Sequence, residues 1–254
     1  MNIFDKKLSV IIPAYNEGER IYKNLLKIDD MIATFSNNYE LIPVNDGSKD
    51  NTKDEIAKAS LERARILPAG YDKNRGKGGA IKEGVNYATG DIIAFLDADL
   101  DLSPMHLKDF MTKMDKTEAT AVIGSKMHKD SDVDYPMARR IMSVGYYIML
   151  KIMFRLNIKD TQTGVKLFKA EELKQAMTYV KSNGFAYDIE ILALINVLGG
   201  KIVEMPVKII FQRGTNWGRI KMGDIADVAV ETMHIYNNIH KVKRMNNRRE
   251  SIKK

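Results

Sequence analysis

The sequence predicts an α/β fold in which a mostly parallel sheet is covered by helices on both faces. Short apolar runs, the first at 8–13, alternate with segments whose apolar residues recur at helical spacing. This alternation is typical of parallel strands joined by crossover helices. The chain has 254 residues, 44% of them hydrophobic, and no Pro-, Gly- or Ser-rich linker, so we expect a single domain with a sizeable core.

The first half of the chain contains the regular part of this pattern. Ile21, Leu25 and Ile28 fall on one face of the first helix. Ser103 followed by Pro104 has the residue types of a helix start. The predicted elements are, in order, strand 8–13, a helix containing 21–28, strand 39–44, a turn at 45–48 with helix-start chemistry, strand 65–69, helix 77–88, strand 92–96, helix 103–115 and strand 120–124.

The second half is less regular and lacks the pattern of an independently folding unit. Its predicted elements are an apolar helix over 137–156, a strand at 165–168, helices over 170–180 and 188–198, one or two strands within 201–211, and an amphipathic helix from 223 to about 245. We therefore assign residues 1–222 to the main domain and residues 223–254 to a C-terminal helix and basic tail.

The net charge of +7 is concentrated in residues 241–254, which hold seven basic residues and one glutamate. A basic tail suits an anionic partner, either a membrane surface or nucleic acid, or is a solvated and frayed terminus. Aromatic residues do not interleave with the basic ones as they do in single-strand binders, so we expect no nucleic-acid partner. The absence of cysteine excludes disulfides and thiolate metal sites and is consistent with a reducing cytosol.

Two aspartates, Asp97 and Asp99, come at the end of the apolar run 92–96, which we interpret as a buried strand. At the end of a strand in a parallel sheet, both carboxylates project into the crevice where α/β sheets bind ligands. There they can hold a hard divalent cation that grips a diphosphate. Asp101 adds a third carboxylate. The alternative interpretation is an acidic turn that leads into the next helix.

Three motifs, in matching order and spacing, resemble the successive signatures of family-2 glycosyltransferases with a GT-A fold. They are VIIPAYNE at 10–17, VNDGS at 44–48 and LDAD at 96–99. Three further motifs resemble the branch of this family that loads sugars onto polyprenyl phosphates. They are NRGKGGA at 74–80, DTQTG at 160–164 and FAYD at 185–188. Within that branch the likeness is greatest to dolichyl-phosphate glucose synthases, and then to dolichyl-phosphate mannose synthases.

This resemblance implies a nucleotide-sugar site at the ends of the strands. Asp46 would hydrogen-bond the base. Lys77 would contact the diphosphate, since it lies in a glycine-rich loop that opens a helix, where close backbone approach and the helix N-terminus favour anions. Arg213 and Lys221 lie in a basic loop that would close on the diphosphate and exclude water. The full expected set is Pro13, Ala14, Tyr15, Glu17, Asp46, Lys77, Asp97, Ala98, Arg213 and Lys221.

The expected metal ligands are Asp97 and Asp99, which would hold Mg²⁺ or Mn²⁺ against the sugar-nucleotide phosphates. Asp101 would complete the coordination shell or cap the following helix. The expected catalytic residues are Asp99 and Asp188. In relatives with hydroxyl acceptors an acid at the position of Asp188 is the general base, because a protonated hydroxyl is a poor nucleophile. A phosphate acceptor is already ionised, so Asp188 would then orient the substrates; the alternative is a helix N-cap.

The acceptor phosphate is expected, by the same resemblance, to contact Lys126, Arg139, Arg140 and Gln162. The alternative for each basic residue is a solvated surface. The apolar segment 141–154 follows these arginines and is shorter than the roughly 20 residues of a membrane-spanning helix. It belongs either to the core or to a membrane interface. Its position directly after the cations favours a lipid acceptor.

The resemblance thus implies an inverting glycosyltransferase that moves glucose from UDP-glucose to polyprenyl phosphate. We expect a cytoplasmic protein, peripheral on the inner face of the cell membrane and attached through residues 141–155 and the basic tail. Two alternatives stay open. One is a metal-dependent transferase with a hydroxyl acceptor, such as a cell-surface glycan or a polyol-phosphate polymer; the other is a non-catalytic nucleotide-sugar-binding protein. The oligomeric state is left open.

Overall fold

A computed structural model describes residues 2–131, 148, 151–184, 186–209 and 222–253, with the side chains of the last helix described for 231–246. In this part of the chain, seven strands form one sheet. They are β1 (Leu8–Ala14), β2 (Tyr39–Asp46), β3 (Ala69–Tyr71), β4 (Ile92–Phe95), β5 (Ala121–Ser125), β6 (Lys166–Lys169) and β7 (Ile202–Pro206).

The sheet has the strand order β3-β2-β1-β4-β6-β5-β7. Neighbouring strands are parallel except at β6, which runs antiparallel to both β4 and β5. The predicted mostly parallel α/β sheet is therefore confirmed. The chain runs from β1 outward to β2 and β3, and then returns to place β4 on the other side of β1. The carboxyl ends of β1, β2 and β4 therefore flank the point where α/β sheets bind their ligands.

Helices cover both faces of the sheet. They are α1 (Ile21–Ala33), α2 (Thr52–Glu62), α3 (Lys77–Tyr87), α4 (His106–Thr117), α5 (Ala170–Met177), α6 (Tyr187–Val197) and α7 (Met222–Lys253), with a 3₁₀ turn at Ile3–Asp5. Alternate strand residues point to opposite faces. Ile11 and Ile42 join a core cluster with α3, α5, α6 and α7, whereas Val10 and Leu41 join one with α1, α2 and α4.

Two predicted starts in the first half differ from the structure. Strand β3 begins at Ala69 rather than at residue 65, and Ile66 forms only an isolated bridge with Leu41. Helix α4 begins at His106 rather than at Ser103, because the backbone N–H of His106 donates to the carbonyl of Ser103 (3.1 Å) in a preceding turn. Ser103 lies two residues before the N-cap residue, Met105, and its hydroxyl accepts the Met105 backbone N–H (3.3 Å) within this turn.

Two more boundaries are shifted. The helix after β2 begins at Thr52, beyond the predicted turn at 45–48, and α7 continues to Lys253 rather than ending near residue 245. The predicted helix over 137–156 lies mostly outside the described residues; within it, Ile148 and residues 151–154 are helical. Among the described helices, none combines the length and the apolar composition needed to cross a membrane.

Gly84 allows α3 to pack directly on β1. A Cβ atom at this position would lie 2.3 Å from Cγ2 of Ile11, which is fully buried. We expect Gly84→Ala to lower the free energy of unfolding by about 1–3 kcal/mol, the cost of overpacking a core, although alanine favours helix formation. Asn86→Ala, at an exposed position of the same helix, is the control and should be neutral or stabilising. Urea denaturation measures both, and equal stabilities would contradict this packing.

Candidate active site

A cleft of about 450 Å³ opens at the carboxyl ends of β1, β2 and β4. It is lined by Pro13, Ala14, Tyr15, Glu17, Asp46, Asn74, Gly76, Lys77, Asp97, Ala98, Asp99 and Gly184. All but Asn74, Gly76 and Gly184 were predicted to bind nucleotide sugar or metal. A larger cavity, of about 790 Å³, lies at the opposite ends of the strands beside Asp91 and Lys169, and contains none of the predicted residues. The smaller cleft is therefore the candidate site.

The loops that follow β1 and β2 hold each other in place beside this cleft. The backbone N–H of Glu17 donates to the Thr52 hydroxyl (2.8 Å), and that of Gly18 donates to the Asp50 carboxylate (3.0 Å). Burial raises the pKa of Asp50, but hydrogen bonds from Thr52 and Gly18 outweigh burial and hold that pKa below its usual value. Asp50 lies outside the motif at 44–48. Its contacts fix the loop that presents Tyr15 to the cleft.

Asp46 is buried, and both of its carboxylate oxygens accept hydrogen bonds from other residues of the protein. Its Oδ1 accepts hydrogen bonds from the Tyr71 hydroxyl (2.6 Å) and the Arg75 backbone N–H (2.8 Å). Its Oδ2 accepts one from the side-chain amide of Asn74 (2.9 Å). Burial and the Asp46 hydrogen bond raise the pKa of Tyr71. Asp46 thus anchors the loop that leads into α3, and its contact with a nucleobase stays a prediction.

The glycine-rich loop before α3 lies against a second loop, at residues 181–184. The backbone N–H of Gly78 donates to the Asn183 carbonyl (3.0 Å). A Cβ atom at Gly76 or Gly78 would lie 2.7 or 2.9 Å from that same carbonyl oxygen. We expected these glycines to allow close approach to phosphate; in the structure, close approach to Asn183 already requires them.

Lys77, the first residue of α3, crosses the cleft to the acidic motif. Its Nζ donates to Oδ1 of Asp97 at 2.5 Å. Burial raises the pKa of Asp97, but the charge and hydrogen bond of Lys77 outweigh it and hold that pKa below its usual value. Burial likewise lowers the pKa of Lys77, and attraction to Asp97 more than restores it, so the pKa lies above its usual value. Both groups are therefore charged at neutral pH.

Asp97 and Asp99 have the chemistry of a site for a hard divalent cation. Leu100 has a left-handed backbone (φ 61°), and the Asp101 backbone N–H donates to Oδ1 of Asp99 (3.2 Å). Asp101 does not line the cleft. No group of three or more His, Cys, Asp or Glu side chains has metal-binding geometry within the described ranges. Two carboxylates completed by substrate phosphates suit Mg²⁺ or Mn²⁺, so Asp97 and Asp99 fit a cation shared with a diphosphate.

Asp188, at the start of α6, is paired with a lysine that the sequence analysis missed. Lys166 on β6 is almost completely buried, and its Nζ lies 2.7 Å from Oδ1 of Asp188 and donates to the Thr163 carbonyl (2.5 Å). Burial raises the pKa of Asp188, and attraction to Lys166 and Lys77 only partly opposes it. The available signal was a lysine placed inside an apolar strand, which requires a buried partner.

The predicted acceptor side is organised by Asp160. Its carboxylate accepts hydrogen bonds from the backbone N–H groups of Lys126 (2.9 Å) and Gln162 (3.0 Å), and from the Thr163 hydroxyl (2.6 Å). A Cβ atom at Gly164 would lie 2.0 Å from Oδ2 of Asp97, so the same loop touches the acidic motif. Lys126 and Gln162 do not line the cleft, but both are hydrogen-bonded to Asp160, in the loop that contacts Asp97. The other predicted cations, Arg139, Arg140, Arg213 and Lys221, lie outside the described residues.

The buried pair gives a stability prediction. Lys166→Met removes the cation in direct contact with Asp188 and leaves this carboxylate buried without its paired charge, so we expect the free energy of unfolding to fall by about 3–5 kcal/mol. The double variant Lys166→Met, Asp188→Leu removes both charges and should recover most of this loss. Chemical denaturation of the two variants and of Asp188→Leu forms a double-mutant cycle. Strictly additive losses would show that the two side chains do not stabilise each other.

Comparison with known proteins identifies the family. The profile described as Glycosyl transferase family 2 matches residues 9–176. Dolichyl-phosphate beta-glucosyltransferases of Dictyostelium discoideum and Saccharomyces cerevisiae are 35% and 32% identical, over 79% of this chain and 65% and 66% of their own. The chain thus spans just under two thirds of these curated relatives.

A crystal structure of glucosyl-3-phosphoglycerate synthase from Mycobacterium tuberculosis, in complex with Mn²⁺, UDP and phosphoglyceric acid, has a TM-score of 0.68 to this chain. It is 16% identical and matches over 92% of this chain and 78% of that one, which shows a shared fold. The predicted GT-A architecture is confirmed. The chain belongs to glycosyl transferase family 2.

Proposed function

We propose that this chain transfers glucose from UDP-glucose to a polyprenyl phosphate, with inversion at the anomeric carbon. The main support is that Lys77, Asp97 and Asp99 line one cleft at the carboxyl ends of β1, β2 and β4. The relatives named as dolichyl-phosphate beta-glucosyltransferases support the sugar and the acceptor class. The UDP and Mn²⁺ named for the structural neighbour support the nucleotide and the cation.

The sugar donor would lie along the cleft, with its diphosphate at the N-terminus of α3. Lys77 would exchange its bond with Asp97 for one with the diphosphate, and the α3 backbone N–H groups add positive potential there. A divalent cation on Asp97 and Asp99 would neutralise charge on the departing nucleotide. We also propose that Arg213 and Lys221 close on the diphosphate, which would exclude water from the reacting carbon.

The acceptor phosphate would approach from the Asp160 loop. Lys126 and Gln162 would hold it, together with Arg139 and Arg140. A phosphate oxygen is ionised near neutral pH and attacks without a base. Asp188 is buried and paired with Lys166, and it does not line the cleft. We therefore propose that Asp188 helps to orient the substrates. Asp99 would be the carboxylate nearest to the reacting atoms.

A lipid acceptor requires contact with a membrane. Ile148 is 49% exposed and Ile152 is 75% exposed, and both are helical. Two exposed isoleucines four residues apart suit the apolar side of an interfacial helix. We propose that residues 141–155 and the basic tail attach the protein to the inner face of the cell membrane, with residues 1–222 as the transferase domain and 223–254 as the C-terminal extension.

The proposal is tested by transfer of radiolabelled glucose from UDP-glucose to undecaprenyl phosphate in detergent with Mn²⁺. We expect label in an organic-extractable lipid, and its loss on addition of EDTA. UDP release without labelled lipid would overturn the acceptor and direct attention to hydroxyl acceptors. No turnover at all would direct the search first to other nucleotide sugars, and only then to the binding-protein alternative.

Asp188→Asn separates the two acceptor classes. If a phosphate attacks, no base is needed, and we expect kcat to fall by about tenfold or less through lost orientation. If a hydroxyl attacks, loss of the base should reduce kcat by about 10²–10⁴-fold. Initial rates at saturating substrate measure the difference, with Glu171→Gln, on the exposed surface of α5, as the control. A thermal melt of each variant confirms that the fold is retained.

A further inference from the structure

The C-terminal helix reaches the candidate active site through hydrogen bonds, and we propose that Glu231 and Asn238 of α7 are positioning residues for the nucleotide sugar. This inference rests on the proposed function and deepens it. It gives α7 a role in the sugar-donor site, beyond the C-terminal helix and basic tail to which residues 223–254 were assigned. The link runs through the loop at residues 181–184, called the bridging loop below.

Glu190, on α6, ties the bridging loop to α7. Its carboxylate is completely buried. Oε2 accepts the backbone N–H groups of Lys181 (2.9 Å) and Ser182 (2.8 Å), and Oε1 accepts the side-chain amide of Asn238 (2.7 Å). Asn238 also donates to the Tyr179 carbonyl (2.9 Å). A buried carboxylate requires such donors, so the loop and the helix are held by one group.

Glu231 holds the same loop from the helix side. Its Oε1 accepts the hydroxyl of Ser182. A Cβ atom at Gly184 would lie 3.1 Å from both carboxylate oxygens of Glu231, so the loop backbone passes directly beneath this carboxylate. Ile235 and Ile239, one and two turns further along α7, are buried in the core. Glu231 therefore lies on a part of α7 that is packed against the core.

The opposite side of the bridging loop builds the cleft. Gly184 lines the cleft, and the Asn183 carbonyl accepts the Gly78 backbone N–H (3.0 Å). The Asn183 side chain accepts a hydrogen bond from Nζ of Lys82 (2.8 Å) on α3. Since Gly78 follows Lys77 directly, displacement of the bridging loop displaces the first turn of α3 and its diphosphate contact.

Space for such a displacement exists in the structure. A cavity of about 260 Å³ lies between the bridging loop and α7. Its lining includes Ser182, Glu190, Glu231, His234 and Asn238. If Glu231 or Asn238 is truncated, the loop can move into this cavity while the core clusters stay intact. The expected effect is therefore on the geometry of the sugar-donor site and not on the global fold.

The test compares Glu231→Ala and Asn238→Ala with Met233→Ala, an exposed position of the same helix. Hydrogen exchange of segment 74–80, measured without any ligand, reports on the Gly78 bond to Asn183. We expect faster exchange in both variants and no change in Met233→Ala. The UDP-glucose KM should rise by about tenfold, while the polyprenyl-phosphate KM stays within about twofold. Glu231→Gln keeps an acceptor oxygen for Ser182, so its exchange rate and UDP-glucose KM should be close to those of the wild type.

Ser182→Ala removes only a hydroxyl, and it provides a second variant that should exchange faster at 74–80 even if Glu231→Ala does not fold. Unchanged exchange in this segment for all folded variants would overturn the inference. Equal rises in both KM values would also overturn it, because a general loss of structure would then explain the result. If no transfer to polyprenyl phosphate occurs in the wild type, the proposed function fails, but the exchange comparison still decides the positioning role.

Discussion

Two pairs of opposite charges at the ends of β4 and β6 are the constraint on which the rest of this site depends. Lys77 pairs with Asp97 at the mouth of the cleft, and Lys166 pairs with Asp188 inside the protein. A charge removed from water is costly unless a partner and hydrogen bonds compensate it, so the buried Lys166 and Asp188 must be placed together. Strand β6 achieves this by pairing Lys166 beside Phe95, two residues before Asp97. The site is thus a feature of the sheet as well as of its loops.

The small residues around these charges follow from the same constraint. Gly164 lies so close to the Asp97 carboxylate that no side chain fits between them, and Gly78 packs against the Asn183 backbone in a similar way. Each glycine lets a segment distant in sequence approach the charged groups. The cleft is consequently assembled from five separate parts of the chain.

Much of this arrangement could be predicted from the sequence, because local patterns of residues indicate the strands and the motifs that follow them. The apolar runs and the motifs at 10–17, 44–48 and 96–99 end at one edge of the sheet, and the cleft forms there. The partner of Lys166 could not be predicted, since β6 enters the sheet antiparallel, between two strands that precede it. The hydrogen bond from Tyr71 to Asp46 and the contacts of α7 with the bridging loop are also long-range. The spacing of apolar residues along the sequence does not predict such contacts.

The central claim is that Asp97 and a divalent cation together bind the diphosphate of the sugar donor. Calorimetric titration of UDP in the presence of Mn²⁺ tests it, with wild-type protein, Asp97→Asn, and Asp109→Asn on the exposed surface of α4 as the control. We predict that UDP binds wild type and Asp109→Asn alike, and that EDTA or Asp97→Asn weakens binding by at least about tenfold. UDP affinity that is the same with and without Mn²⁺, and the same in Asp97→Asn, would contradict this account of the site.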